Sequence, residues 1–199
     1  MRQRFIIAMF ILISLPGLLL AHDVVWPGKK LAALFPGAAK IIQKNITLSR
    51  GQILAIEKKL GVKLRREDAV PSFYIAYKMP EMTAAEHEQM MQTGEKMKIA
   101  PYATAWFVDT VTSRGKMEVG VAVDTRGKVL KVVVFEHRED PAIARDEFLN
   151  QFIGKGLEDK MRVDEDIKAI KGAEEAARAL VLDVRKTLII LDEVFRRKK

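Results

Sequence analysis

The sequence contains no cysteine in its 199 residues. That excludes disulfides, thiolate nucleophiles, cysteine metal ligands and two-cysteine haem attachment. A chain of this size must then be held by its core alone. Also missing is a strand-to-helix nucleophile elbow for serine hydrolase chemistry, and no spaced carboxylate pair stands out for acid–base hydrolysis. Tryptophan occurs twice and tyrosine three times. No basic patch interleaves with aromatics, so nucleic acid is not an expected partner, although the net charge is +8. Part of that charge is gathered in the tail Arg196 to Lys199.

About half the residues are apolar and 30% are charged, a composition that suits one globular domain with accessory segments. Residues 1–21 differ in kind. A positive start, MRQR, precedes the apolar run FIIAMFILISLPGLLLA, which reads as an export signal with cleavage after Ala21. Pro16 and Gly17 interrupt the run, and it falls short of the roughly 20 residues a spanning helix needs. A retained anchor is the alternative. The expected location is exported or periplasmic, with membrane association through this segment as the variant reading.

Residues 22–101 read as a helical or mixed segment. Pro-Gly pairs at 27–28 and 36–37 bracket a short helix from Lys29 to Leu34. A second helix follows, with Ser49 as N-cap, Ile53, Leu54, Ile56 and Leu60 as the apolar face, and Gly61 as C-cap. SFYIAYKM has the β-branched and aromatic density of a strand. Next comes a methionine-rich insertion in which Met79, Met82, Met90, Met91 and Met97 surround His87. Thioethers with an imidazole can hold soft copper(I) or, with His22 or His137, ligate haem. Methionines at helical spacing equally serve as adaptable packing.

Residues 102–199 carry the clearest pattern. Val119, Val121 and Val123 alternate with Glu118, Gly120 and Ala122, giving the period of a strand with one apolar face. SRG and DTRG sit between apolar runs as hairpin turns, so three consecutive antiparallel strands are expected from Tyr102 to Asp140. KVLKVVVFEH, apolar on both faces, is expected to be covered on both sides. A helix is expected from Ala142 to Phe152. The last helix, Glu174 to Phe195, places Ala177, Leu180, Val181, Val184, Leu188, Leu191 and Phe195 on one face, with Arg178, Asp183, Arg185 and Lys186 outward. The fold class expected is α+β, an antiparallel sheet packed against helices with the long C-terminal helix crossing it.

The order of strand, DTRGK turn, buried strand, EHRED-P, helix, F-x-G-K, A-I-K-G-A and long helix resembles the FMN-binding domain family. Its members include flavin-carrying subunits of the sodium-pumping NADH:quinone oxidoreductase and of the Rnf complex. The resemblance covers Lys116 to Phe195, and more loosely LFPGAAK and TLSRGQILAIEKKLG. It makes 102–199 an FMN-binding-like domain and implies electron transfer with membrane or periplasmic redox proteins. In the family pattern D-A-I-S-G-A-T the threonine carries FMN through a phosphoester. Here Lys168, Ala169, Ile170, Lys171, Gly172, Ala173 and Glu174 stand at those positions.

A phosphoester needs a hydroxyl, and the carboxylate of Glu174 offers none. The neighbouring family hydroxyl maps to Ala176, and Thr187 lies turns further along. Any FMN is therefore expected to be noncovalent. The resemblance implies that Gly172 and Ala173 admit its phosphate, Lys171 neutralises it, and His137 and Glu139 of EHRED-P contact the ring or its support. Asp140 and Ala142 depart from the family's threonine and glycine there. Glu174 and Glu175 can also simply complement the helix dipole, which leaves a flavin-free binding or assembly module as the second reading.

Overall fold

The computed structural model describes residues 28–94 and 99–195, without the His87 side chain. Five strands form one antiparallel meander in the order β1 to β5: β1 (Lys40–Asn45), β2 (Ser72–Lys78), β3 (Ala100–Thr112), β4 (Gly115–Asp124) and β5 (Val129–Glu136). The helices are α1 (Gly28–Leu34), α2 (Arg50–Leu60), α3 (Ala84–Thr93), α4 (Asp146–Leu149) and α5 (Glu174–Phe195). This is the α+β arrangement expected. β3 begins at Ala100 and pairs with both β2 and β4, so residues on either side of 101/102 share one sheet.

Alternation along the strands sorts side chains to two covered faces. On one, Phe73, Trp106, Val108, Val119, Val121, Val132 and Val134 meet Ala177, Leu180, Val184, Leu188 and Ile190 of α5 with Ile56 and Leu60 of α2. On the other, Leu31, Leu34 and Phe35 lie over Tyr74, Ala105 and Ala122, with Phe107, Val133 and Phe135 at the margin. The central strands therefore need apolar residues at successive positions, which explains the double-sided run of β5. Gly120 permits this second layer. A Cβ there would stand 2.7 Å from Leu34 Cδ1 and 2.9 Å from Phe135 Cε2, so the glycine makes room for α1.

Local signals shape the helix ends. Ser49 and Gln52 form a reciprocal capping box, and Gly61 takes the left-handed conformation at φ 81°. Thr83 and Glu86 repeat the capping box at α3. That helix buries none of its described side chains, and Met91 is exposed.

Several expectations need correction. β1 falls where no strand was expected. KIIQKN is an exposed edge strand, held by register with β2 from Lys40↔Tyr77 to Asn45↔Ser72. The helix expected from Ala142 to Phe152 is broken into a 3₁₀ turn (Pro141–Ala144), α4 and a second 3₁₀ turn (Asn150–Phe152), with Arg145 extended between the first two. In a continuous helix, Ile143 and Phe148 would point about 140° apart. The break lets Ile143, Phe148, Leu149 and Phe152 all reach the core. Leu54 lies outside the core, at 53% exposure.

Asp183 and Lys186 do not face out. Both are buried, and Lys186 Nζ lies 2.6 Å from Asp183 Oδ1 and 2.9 Å from Asp68 Oδ1. Asp68 also receives the Arg65 backbone N–H at 3.1 Å, and the ammonium sits 5.5 Å from the centre of the Trp106 ring. Tertiary partners overrode the polar reading of the helix face.

Residues 1–21, from which export is expected, together with His22, Met97 and the basic tail 196–199, lie outside the described residues. Among the described residues, no helix is long and apolar enough to cross a membrane.

Candidate functional site

The tip of the β3–β4 hairpin, Thr112 to Gly115, is where the two motif segments meet. Thr112 and Gly115 close the ladder, leaving Ser113 and Arg114 as the turn. From the EHRED-P loop, Glu139 brings a buried carboxylate that accepts from Thr112 Oγ1, with Arg114 Nε 3.8 Å away. From the start of α5, Glu175 accepts from Ser113 N at 2.8 Å and from Ser113 Oγ. Both bonds hold its carboxyl below the usual range, the side-chain bond first. Two distant segments thus clasp one turn.

Glu174 turns back on its own helix end. Its Oε1 accepts from Gly172 N at 2.9 Å. That bond, followed by one from its own N–H, holds the carboxyl below its ordinary value. Gly172 is left-handed at φ 84°, which presents the N–H to the carboxylate. Ala173 is buried at 3% exposure and its N–H is spent on Ile170 O. Lys171 is exposed. His137 follows β5 directly and carries a buried Nδ1 with no hydrogen-bond partner among the described residues.

Asp140 replaces the hydroxyl residue of the family pattern but keeps a capping role. Its Oδ1 accepts from Ala142 N at 2.8 Å, so the loop closes without a glycine after Pro141.

Beside these segments opens a cleft of about 670 Å³, lined by Ala142, Arg145, Phe148 and Gln151 on one wall and Lys168 and Ile170 on the other, with Glu147 and Ala169 completing it. Gln151 ties the walls together. Its Oε1 accepts from Lys168 N at 2.7 Å and its Nε2 donates to Lys168 O at 3.3 Å. The approach to Lys168 is set by Asp166, which accepts from Arg162 N at 2.7 Å, and from Met161 N and Lys155 Nζ at 3.0 Å each. Burial pushes its carboxyl up, but these three donors together hold it below the usual aspartate value.

A larger groove, about 900 Å³, lies toward the α1 side of the sheet. Most of its charges are paired: Lys30 with Glu118 and Glu136, Lys116 with Asp109, Arg65 with Asp68. Of the motif residues only Glu136 reaches it. The smaller cleft has residues 168–170 of the second motif segment on one wall and Ala142, next to EHRED-P, on the other, and is the better candidate.

The structure therefore brings the motif segments together, but the polar side chains lining the cleft are Arg145, Glu147, Gln151 and Lys168 rather than His137, Glu139, Lys171 or Glu174. The hairpin tip, with Ser113 and Arg114, was read only as a turn. Gln151 and Arg145 had no signal in the sequence, because their role depends on the helix break at Arg145.

An antiparallel sheet, a crossing C-terminal helix and a cleft between two loops make this a small α+β protein with a concave site of ligand size. Residues 113–188 match the family model described as FMN-binding domain. No curated protein matches the chain. The matched segment runs from the hairpin tip into α5, so it contains the cleft and all of the clasp but Thr112, while β1, β2 and β3 lie outside it.

FMN is the cofactor that this family match supports. The cleft fits it in size and chemistry: apolar Phe148, Ala169 and Ile170 suit a flat ring, and the cationic Arg145 and Lys168 suit a phosphate. Covalent attachment at the family's position does not fit. Glu174 has no hydroxyl, Ser113 Oγ is held by Glu175, and Thr187 is buried with its hydroxyl on Asp183 O at 2.8 Å. Among the described residues no group of three His, Asp or Glu could hold a metal ion.

Proposed function

We propose that the protein is an exported FMN-binding domain that takes part in electron transfer and holds its flavin noncovalently. One observation carries the reading: the cleft lies within the matched residues, between the helical turns that follow EHRED-P and residues 168–170, and Gln151 pins the two together. The redox chemistry would come from FMN, and the protein would supply position and electrostatics. Phe148 and Ile170 would pack on the ring. Gln151 would keep the walls at a set separation. His137, with its spare ring nitrogen, and Glu139, which fixes the hairpin tip, would support the loop behind the ring.

Residues 1–21 support export, with membrane or periplasmic redox proteins as partners and membrane association if the segment is retained. The test is an absorbance spectrum from about 300 to 700 nm on protein from its exporting host, before and after acid precipitation. Flavin bands that leave with the supernatant are expected. Flavin that stays with the precipitate rejects noncovalent binding, and a colourless protein that takes up no added FMN rejects the flavin itself.

The second reading, a flavin-free binding or assembly module, is favoured by one contact. The Glu174 carboxylate occupies the Gly172 N–H, where a bound phosphate would otherwise find a donor.

A further inference from the structure

A helix start with free N–H groups is an ordinary phosphate seat, but the chain entering α5 has spent its leading donors. The Gly172 N–H goes to Glu174, the Ala173 N–H to Ile170 O, and Glu174 and Glu175 add two carboxylates at the same end. Both are held in the ionised form by their donors. A phosphomonoester carries a charge of about −1.5 to −2 at neutral pH, so it would meet repulsion there and find those two donors taken.

The cleft offers the opposite surroundings. Arg145 and Lys168 stand on facing walls, and neither side chain has an ion-pair or hydrogen-bond partner among the described residues. Their neighbours are different: Lys155 is paired with Asp166, Lys160 and Arg162 with Glu165, Lys128 with Glu158. The one acidic lining residue is Glu147, so the cleft keeps a net positive charge. Lys168 is held by the two bonds between its backbone and Gln151, and Arg145 by the extended residue between two short helical turns. Both cations are thus fixed at their Cα positions while their charged ends are uncommitted.

We infer that Arg145 and Lys168 form the seat for the flavin's phosphate, which has moved from the start of α5 into the cleft. This rests on the proposed function, since it assigns the phosphate contacts of the same ligand. The guanidinium offers paired donors to phosphate oxygens and the ammonium a compact charge. FMN, not riboflavin, is then the preferred flavin, because only FMN carries the group the two cations select.

The test is a fluorescence-quenching titration of the purified protein with FMN and with riboflavin, repeated on Arg145→Gln and Lys168→Gln. FMN is expected to bind at least tenfold more tightly than riboflavin, and each substitution to weaken FMN by about tenfold with riboflavin unchanged. Riboflavin binding in each variant confirms an intact cleft. Equal affinity for the two flavins overturns the phosphate seat while leaving the flavin reading intact, and so does an FMN preference lost in Lys171→Gln but kept in both cleft variants. Binding of neither flavin overturns the seat and the proposed function together.

Discussion

Glu174 and Glu175 at the start of α5 and Asp183 in its middle place the same charge on one helix in opposite surroundings. The two glutamates stay at the surface and spend their oxygens on backbone N–H groups and a hydroxyl. Asp183 is buried and faces Lys186, which also serves the buried Asp68. The first pair tunes a helix end and clasps a hairpin. The second joins α5 to the 3₁₀ turn Glu67–Ala69, and so joins the matched segment to the strands before it. Carboxylates at a surface can be exchanged at small cost, whereas a buried one commits its partners.

The largest effect should come from breaking the buried cluster. Lys186→Met leaves Asp68 and Asp183 buried without their shared cation, and urea denaturation should show a loss of about 3–5 kcal/mol. Replacing Asp68, Asp183 and Lys186 together by Leu, Leu and Met should recover part of it, because no buried carboxylate is left without its cation and only the partly exposed Arg65 loses a partner. A triple variant as unstable as the single one would mean that packing, not charge, is what Lys186 contributes.

Crowding the opposite face ranks next. Gly120→Ala would press on Leu34 and Phe135 and should cost about 1–3 kcal/mol. Adding Leu34→Val should recover part of that loss, and a double variant no better than the sum of the singles would place the strain elsewhere.

Asp166 stands between the two extremes, a partly exposed carboxylate with three donors. Asp166→Ala should cost about 1–2 kcal/mol by thermal or urea melting, with looser hydrogen-exchange protection at Arg162 as a local sign. The smallest effect belongs to Glu175→Gln, which keeps an acceptor for Ser113. Its influence should be confined to the acid side. Folded-state pKa values of Glu174, Glu175 and Asp166 are all lowered, so their contribution is present above the unfolded carboxylate pKa and lost as pH falls through the folded value. The melting temperature should be level near neutrality and fall below about pH 4. In Glu175→Gln that fall should be shallower, and an unchanged acid limb would show that the bond to Ser113 does not stabilise the fold.

Much of the fold was readable residue by residue. The capping boxes lie within four residues, and the Val119–Val123 alternation within five. Such signals act over a turn or a strand, where local geometry decides. The misreadings all needed a distant partner. Asp183 and Lys186 looked outward because the helix pattern cannot reveal Asp68 across the core. KIIQKN gave no strand signal because an edge strand with exposed lysines exists only by pairing with β2. The run after Pro141 looked like one helix until the core required Ile143 and Phe148 on the same side.

The site divides in the same way. Sequence alone determined the absence of a hydroxyl at position 174, and with it the exclusion of a phosphoester there, since that depends only on the chemistry of one side chain. It also determined the pair of motif segments, whose order is visible along the chain. Tertiary structure decided that both clasp one hairpin tip, that Glu174 fills its own helix end, and that Arg145 and Lys168 face each other across a cleft. The reason is distance: Arg145 and Lys168 are far apart in the chain, and only the helix break and the Gln151 bridge set them on opposing walls.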